Sequence, residues 1–311
     1  MSSSPVVIGT RGSRLALRQT EITLGALQAV HPEVLFQVRE IQTSGDKSDR
    51  SLSEIGGRGV FVIELERALL ERQIDIAVHS LKDLPSDETE GLTLAAFLPR
   101  DDPRDALISR TGGDLSSLPK NASVGTGSPR RAALLRSLRA DLRIEDIRGN
   151  VDTRLRKVEE GQYDAIVLAV AGLSRLGWLD RASEIFAIDT MLPAVGQAAI
   201  AVQVRTDDER VTGLVRTVDD AATRVAVTAE RAFERRLGAG CQSPIAAYAV
   251  IDGFGLRLRG LVGNEDGSII RGDAEGWLNQ PDSLGVELAE RLIDQGAVPI
   301  LASVNDEGLT G

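Results

Sequence analysis

The stretch ASVGTGSPRRAALLRSL (122–138) decides the fold, because it repeats the layout of PVVIGTRGSRLALRQTEITLGALQ (5–28). Each begins with a short β-prone run, turns at Gly9–Thr10 or Gly125–Thr126, passes a serine and enters a helical pattern. Ser13 and Ser128 stand where a helix N-cap is expected, since a serine hydroxyl can accept from an orphan backbone N–H. In the first copy, Leu17, Ile22, Leu24 and Leu27 supply an apolar stripe at helical spacing.

Outward from these two stretches the agreement continues. LFQVREIQT (35–43) reads as a second strand, and RIEDIRGN (143–150) as its counterpart with a turn. GVFVIELERALLERQ (59–73), with Phe61, Leu65 and Leu69 spaced by four, predicts a helix that matches VDTRLRKVEEGQ (151–162). DIAVHSLKDLP (75–85) and YDAIVLAV (163–170) are third strands. Their approaches, ERQIDIAV (71–78) and EGQYDAIV (160–167), share Glu, Gln and Asp at the same offset. Alternating strands and helices predict mostly parallel sheets, with ligands at the carboxyl ends of the strands.

FLPRDDPRDA (97–106) and IDTMLPAVGQ (188–197) are proline-bearing and hinge-like. Two such crossings imply that the chain leaves a first lobe (1–98 with 195–216), builds a second (103–190) and returns. From Asp219 a third unit is expected, over 219–311. DDAATRVAVTAERAFERRLG (219–238) is helical, with Val225, Ala229, Phe233 and Leu237 on one face and Gly238 and Gly240 ending it. AAYAVI (246–251) and LRLRGLV (256–262) alternate as antiparallel strands, and SLGVELAERLIDQ (283–295) is a last helix. The expected class is α/β: two similar lobes resembling the periplasmic-binding-protein architecture around a cleft, plus a small C-terminal α+β domain.

Composition narrows the function. A net charge of −10 argues against a general nucleic-acid binder. The longest apolar run, AIVLAVAGL (165–173), is too short to span a bilayer. MSSSP has no basic region followed by an apolar core, so a cytoplasmic location is expected, with a monomer as the default. The single cysteine, Cys241 in RLGAGCQSPI (236–245), cannot form an internal disulfide. His31 and His79 lie far from it without metal-ligand spacing, so no metal site is expected. A lone cysteine is most often a packed apolar residue. Its place after glycines leaves a nucleophile or an attachment point open.

Of 36 basic residues only Lys47, Lys82, Lys120 and Lys157 are lysine. Base composition of the genome accounts for many surface arginines, so position decides which matter. Four loops at strand ends, TRGSR (10–14), HSLKDLP (79–85), TGSPRR (126–131) and RGNVDTR (148–154), gather Arg11, Arg130, Arg131, Arg148 and Arg154. Ser13, Ser80, Thr126 and Ser128 accompany them. Guanidinium groups clamp carboxylates at two points, and helix N-termini add backbone donors. This set suits a ligand with several anionic groups. GTGSPR lacks the third glycine of a dinucleotide motif, and no P-loop occurs. Asp83 is an acid among cations: either a turn residue or a carboxyl that handles a proton. His79 ranks below it, as a structural histidine.

VVIGTRGSRLAL, GVFVIELERALL, IDIAVHSLKDLP, VGTGSPRRAALL, IRGNVDTRL, LPAVGQAAIAV and TAERAFERRLGAGCQSPIAAYA together resemble the porphobilinogen deaminase (hydroxymethylbilane synthase) family, from about residue 6 to 250. HSLKDLP and the GCQ loop are the most specific pieces. The resemblance implies a transferase of porphyrin and haem biosynthesis. It adds four porphobilinogen units, each losing ammonia, to a dipyrromethane primer held by a thioether to Cys241, then releases hydroxymethylbilane. It implies Asp83 as the catalytic residue. It implies cofactor contacts from Cys241, Lys82, Asp83, Ser80, Thr126, Ser128, Arg130, Arg131, Arg148 and Gly149. Substrate contacts would come from Arg11, Ser13, Arg148, Arg154 and Gln197. Three departures stand out: Arg58 where lysine is common, no hydroxyl at Gly127, and Ala198 in GQAA (196–199) where GQGA is commoner. The polar, glycine-rich SGDKSDRSLSEIGGRGV (44–60) is expected to be a mobile lid. The rival reading is a two-lobed cytoplasmic binding protein for a multi-carboxylate ligand. Cys241, Asp83 and the third unit argue for chemistry instead.

Overall fold

The structure is a computed structural model that describes residues 4–42, 62–238 and 243–301. Cys241, Gly240, Arg58 and the 44–60 segment therefore lie outside the described residues. The chain divides into two compact units, residues 1–101 with 198–224 and residues 102–197 with 225–311.

The first unit is a five-stranded sheet. β1 (Val6–Thr10) pairs in parallel with β2 (Phe36–Glu40) and β3 (Ile76–Ser80). β4 (Leu92–Phe97) lies at the far edge, and β10 (Ile200–Arg205) sits antiparallel between β3 and β4. Val6, Ile8, Ile76, Val202 and Val204 form its core. Two helices cross between the parallel strands, α1 (Arg14–Val30) and α2 (Ile63–Leu70).

The second unit repeats that order. β7 (Arg143–Glu145), β6 (Ser123–Gly125) and β8 (Ala165–Ala169) are parallel, β5 (Asp105–Ser109) is antiparallel to β8, and β9 (Glu184–Ile185) edges β5. α3 (Pro129–Leu138) and α4 (Val151–Glu159) are the crossover helices. In each sheet the antiparallel inner strand is the one that follows a change of unit: β5 begins just after Asp101–Asp102, and β10 just after Gln197–Ala198. The duplication read in the sequence is thus a duplication of sheet order.

Residues after 225 add an antiparallel meander, β11 (Ile245–Asp252), β12 (Gly255–Gly263) and β13 (Ile269–Trp277), covered by α8 (Pro281–Asp294). Ala229 and Phe233 of α7 (Ala221–Arg236) join Leu258, Leu288 and Leu292 in one buried cluster. Ala246 and Leu261 of the meander face the other way, into the cluster of Val124, Leu134 and Phe186. The meander therefore shares a core with the second sheet.

The expected face of α1 is present and wider than read. Leu27 is buried, Ile22 and Leu24 pack partly buried against the same core, and Gln19, Thr20 and Thr23 are buried beside them. The polar groups are tolerated because they are satisfied locally. Thr20 Oγ1 donates to the Ala16 carbonyl at 3.0 Å and Thr23 Oγ1 to the Gln19 carbonyl at 2.9 Å.

Candidate functional site

In the first unit, β1 and β3 are neighbours, so the turns at their carboxyl ends lie side by side. The first turn carries Arg11 and Ser13. Ser13 caps α1, its hydroxyl accepting from the Ala16 N–H at 3.3 Å. The second is a single 3-10 turn, Leu81–Asp83, directly after β3. Leu81 is buried and anchors it, which leaves Lys82 and Asp83 half-buried. Ser80 Oγ is held by the buried Gln19, whose Nε2 lies 2.8 Å away. Among the described residues, the Asp83 carboxylate has no hydrogen bond or ion pair, whereas Asp75, Asp105 and Asp208 are each locked to an arginine.

His79 is not a proton donor here. Burial lowers its imidazole to about 4; the Gln203 bond opposes this and the Arg11 charge adds to it. Gln203 Nε2 donates to Glu66 at 2.9 Å, so its Oε1 must accept from His79 Nε2 at 3.0 Å. The ring is a neutral structural group in a chain that ends on Thr89, whose hydroxyl donates to Glu66 at 2.8 Å.

In the second unit the polar turns follow β6, the counterpart of β1, and β7, the counterpart of β2. Thr126 is buried and its hydroxyl accepts from the Ser128 N–H at 3.2 Å. Ser128 in turn caps α3, accepting from the Arg131 N–H, and Pro129 occupies the first turn, where no N–H is missed. Arg148 donates from Nε to Asp146 at 2.7 Å, and Arg154 from Nε to the Gly149 carbonyl at 2.7 Å. Gly149 has φ +107, and a Cβ there would lie 2.7 Å from Thr153 Cγ2, so its glycine is required by the backbone. A Cβ at Gly127 would lie 3.0 Å from Asp146 Oδ1 and 3.6 Å from Arg148 Nη1. The Asp146–Arg148 pair occupies the space a hydroxyl would use there.

Arg130 and Arg131 sit deeper than expected. Both are buried, and both donate to Asp105, at 2.8 and 2.7 Å. Gln197 is fully buried as well, its Nε2 shared between the Pro103 carbonyl at 2.7 Å and Asp105 Oδ1 at 2.9 Å. Burial alone would raise Asp105; the charges of Arg130 and Arg131 outweigh it and hold the carboxyl well below the usual range. Sequence reading missed Asp105. The signal was a carboxylate heading the apolar run ALI, where an unpartnered charge could not be buried.

The family model described as "Porphobilinogen deaminase, dipyromethane cofactor binding domain" matches residues 6–213, and "Porphobilinogen deaminase, C-terminal domain" matches residues 224–294. The chain belongs to the porphobilinogen deaminase family. A porphobilinogen deaminase from a Roseiflexus species is 52% identical over 298 residues, covering 96% of this chain and 98% of that protein. One from Brevibacillus brevis is 45% identical over 300 residues, covering 96% of each. Among solved structures, the periplasmic aliphatic sulphonate binding protein of Escherichia coli aligns at a TM-score of 0.40 and 16% identity, over 75% of this chain and 70% of that one.

The donor set fits the family's dipyrromethane, which carries several carboxylates. Among the described residues Arg130 and Arg131 each keep a buried Nε without a hydrogen-bond partner, at the capped N-terminus of a ten-residue helix.

Proposed function

We infer that this chain joins porphobilinogen units with loss of ammonia and releases hydroxymethylbilane, with Asp83 as its acid–base group. The observation that carries the reading is Asp83 itself, in the family's HSLKDLP motif: a half-buried carboxylate without an ion pair among the described residues, beside the turn that carries Arg11. The dipyrromethane, when bound, supplies the free pyrrole carbon to which each unit is added. We assign its attachment to Cys241 on the GCQ motif, and its carboxylate contacts to Ser80, Lys82, Thr126, Ser128, Arg130, Arg131, Arg148 and Gly149. Arg11, Ser13, Arg148 and Arg154 would bind the substrate's two carboxylates by charge-assisted hydrogen bonds.

The chain's own chemistry follows from charge. Porphobilinogen must lose its amine as ammonia, which needs a proton at that nitrogen and leaves an electron-poor methylene carbon. A carboxylate held beside them can pass the proton and stabilise the developing positive charge. A carboxylate already tied to an arginine would do neither well. No helix among the described residues is long and apolar enough to cross a membrane. We read the protein as a cytoplasmic monomer; light scattering of the purified chain tests the monomeric state directly.

The test is turnover of porphobilinogen, followed by ammonia release and by the linear tetrapyrrole. Asp83→Asn is expected to lower the rate by about 10²–10⁴-fold without changing the fold. Full activity in that variant would remove Asp83 from the role.

A further inference from the structure

Buried ion pairs are a poor way to gain stability, because desolvation offsets most of the attraction. The second unit nevertheless buries two adjacent arginines on one carboxylate. Asp105 has no exposed surface and receives three donors: Arg130 Nη2 on Oδ2, and Arg131 Nη2 and Gln197 Nε2 on Oδ1. Each guanidinium is fixed at a second point on a different segment. Arg130 Nη1 donates to the Leu192 carbonyl at 2.6 Å, and Arg131 Nη1 to the Val167 carbonyl at 2.9 Å. Neither head can rotate without breaking two bonds. Among the described residues both Nε atoms are without a hydrogen-bond partner, and two cations against one anion leave positive charge in excess. An apolar cluster would fill the same volume at less cost, so the arrangement serves something other than folding.

We propose that Asp105, braced by Gln197, is the positioning residue that fixes Arg130 and Arg131 in place to receive the carboxylates of the dipyrromethane. It does so without touching the ligand. Gln197 is then a support for Asp105, since its amide nitrogen is shared between Pro103 and Asp105 and its side chain is fully buried. A carboxylate is needed because only an ionised acceptor can hold two guanidinium groups at once. An amide in its place turns a donor toward one arginine and releases it. This inference rests on the functional reading above.

The test uses the purified full-length chain. Intact mass gives the fraction carrying two pyrrole units, before and after timed incubation with porphobilinogen. Circular dichroism and the melting midpoint report folding. Asp105→Asn is expected to load at least tenfold more slowly in its folded fraction. Gln197→Met keeps every charge and removes the amide that bonds Asp105 and the Pro103 carbonyl. It is expected to raise the porphobilinogen concentration for half-maximal loading at least threefold, and it decides the matter if Asp105→Asn does not fold. A folded Asp105→Asn that loads at the wild-type rate, or unchanged loading in Gln197→Met, would overturn the inference alone. A wild-type chain that neither carries nor gains the mass would overturn the functional reading, and this inference with it.

Discussion

The Asp83 carboxylate makes no hydrogen bond or ion pair among the described residues, so neutralising it breaks none there. Asp83→Asn is therefore expected to change unfolding free energy by no more than about 0.5 kcal/mol while turnover collapses. A comparable loss of stability would mean that the group is structural. His79 is the opposite case, buried, neutral and bonded. Its folded pKa, about 4, lies below the ordinary 6.5, so the unfolded chain binds the extra proton first. Stability is full above about pH 6.5 and is lost as pH falls toward 4, by about 3 kcal/mol from this group. Urea midpoints across that window check it. His79→Gln should flatten the slope there but leave the steeper loss at lower pH, where Asp105 is forced to protonate. An unchanged slope would show that His79 is not the group responsible.

At the scale of elements, two positions carry backbone consequences. Ala198, where the family commonly has glycine, sits at φ +73, a left-handed conformation that costs a residue with a Cβ about 1–2 kcal/mol. It opens the return into β10, and its carbonyl accepts from the Asp101 N–H at 3.4 Å. Ala198→Gly is expected to raise stability by up to about 1 kcal/mol, the gain being reduced by glycine's freedom in the unfolded chain. A clear loss in the melting midpoint would contradict this backbone assignment. Gly285 of α8 works by close approach: a Cβ there would lie 2.3 Å from the Ala229 carbonyl and 2.7 Å from Ala232 Cβ of α7. Gly285→Ala must push the two helices apart and is expected to cost about 3 kcal/mol, measurable by denaturant unfolding. A neutral result would mean that α7 and α8 do not pack this closely.

For the whole molecule, what was legible in the sequence was what rests on local chemistry. Ser13 and Ser128 announced helix starts, and the repeated strand–turn–serine–helix order announced two like sheets. The antiparallel strands β5 and β10 were not read, because short, wholly buried runs such as ALI and AIAVQV carry no period that separates strand from helix. The α1 face was read only in its apolar part, Ile22, Leu24 and Leu27; Thr20 and Thr23 satisfy their hydroxyls within the helix and can face inward as well. The loops bearing Arg11, Asp83, Ser128 and Arg148 were visible because each follows a strand. The anchoring of Arg130 and Arg131 was not, since Asp105 lies 25 and 26 residues away in sequence. Only the paired sheet order brings them together.

The central claim is that this chain primes its own polymerisation at Cys241. Intact mass with peptide mapping around RLGAGCQSPI (236–245) tests it most directly. The account predicts a mass excess of two linked pyrrole units on the Cys241 peptide, present on purification or gained on incubation with porphobilinogen. A cysteine peptide that stays unmodified after porphobilinogen is supplied would contradict it.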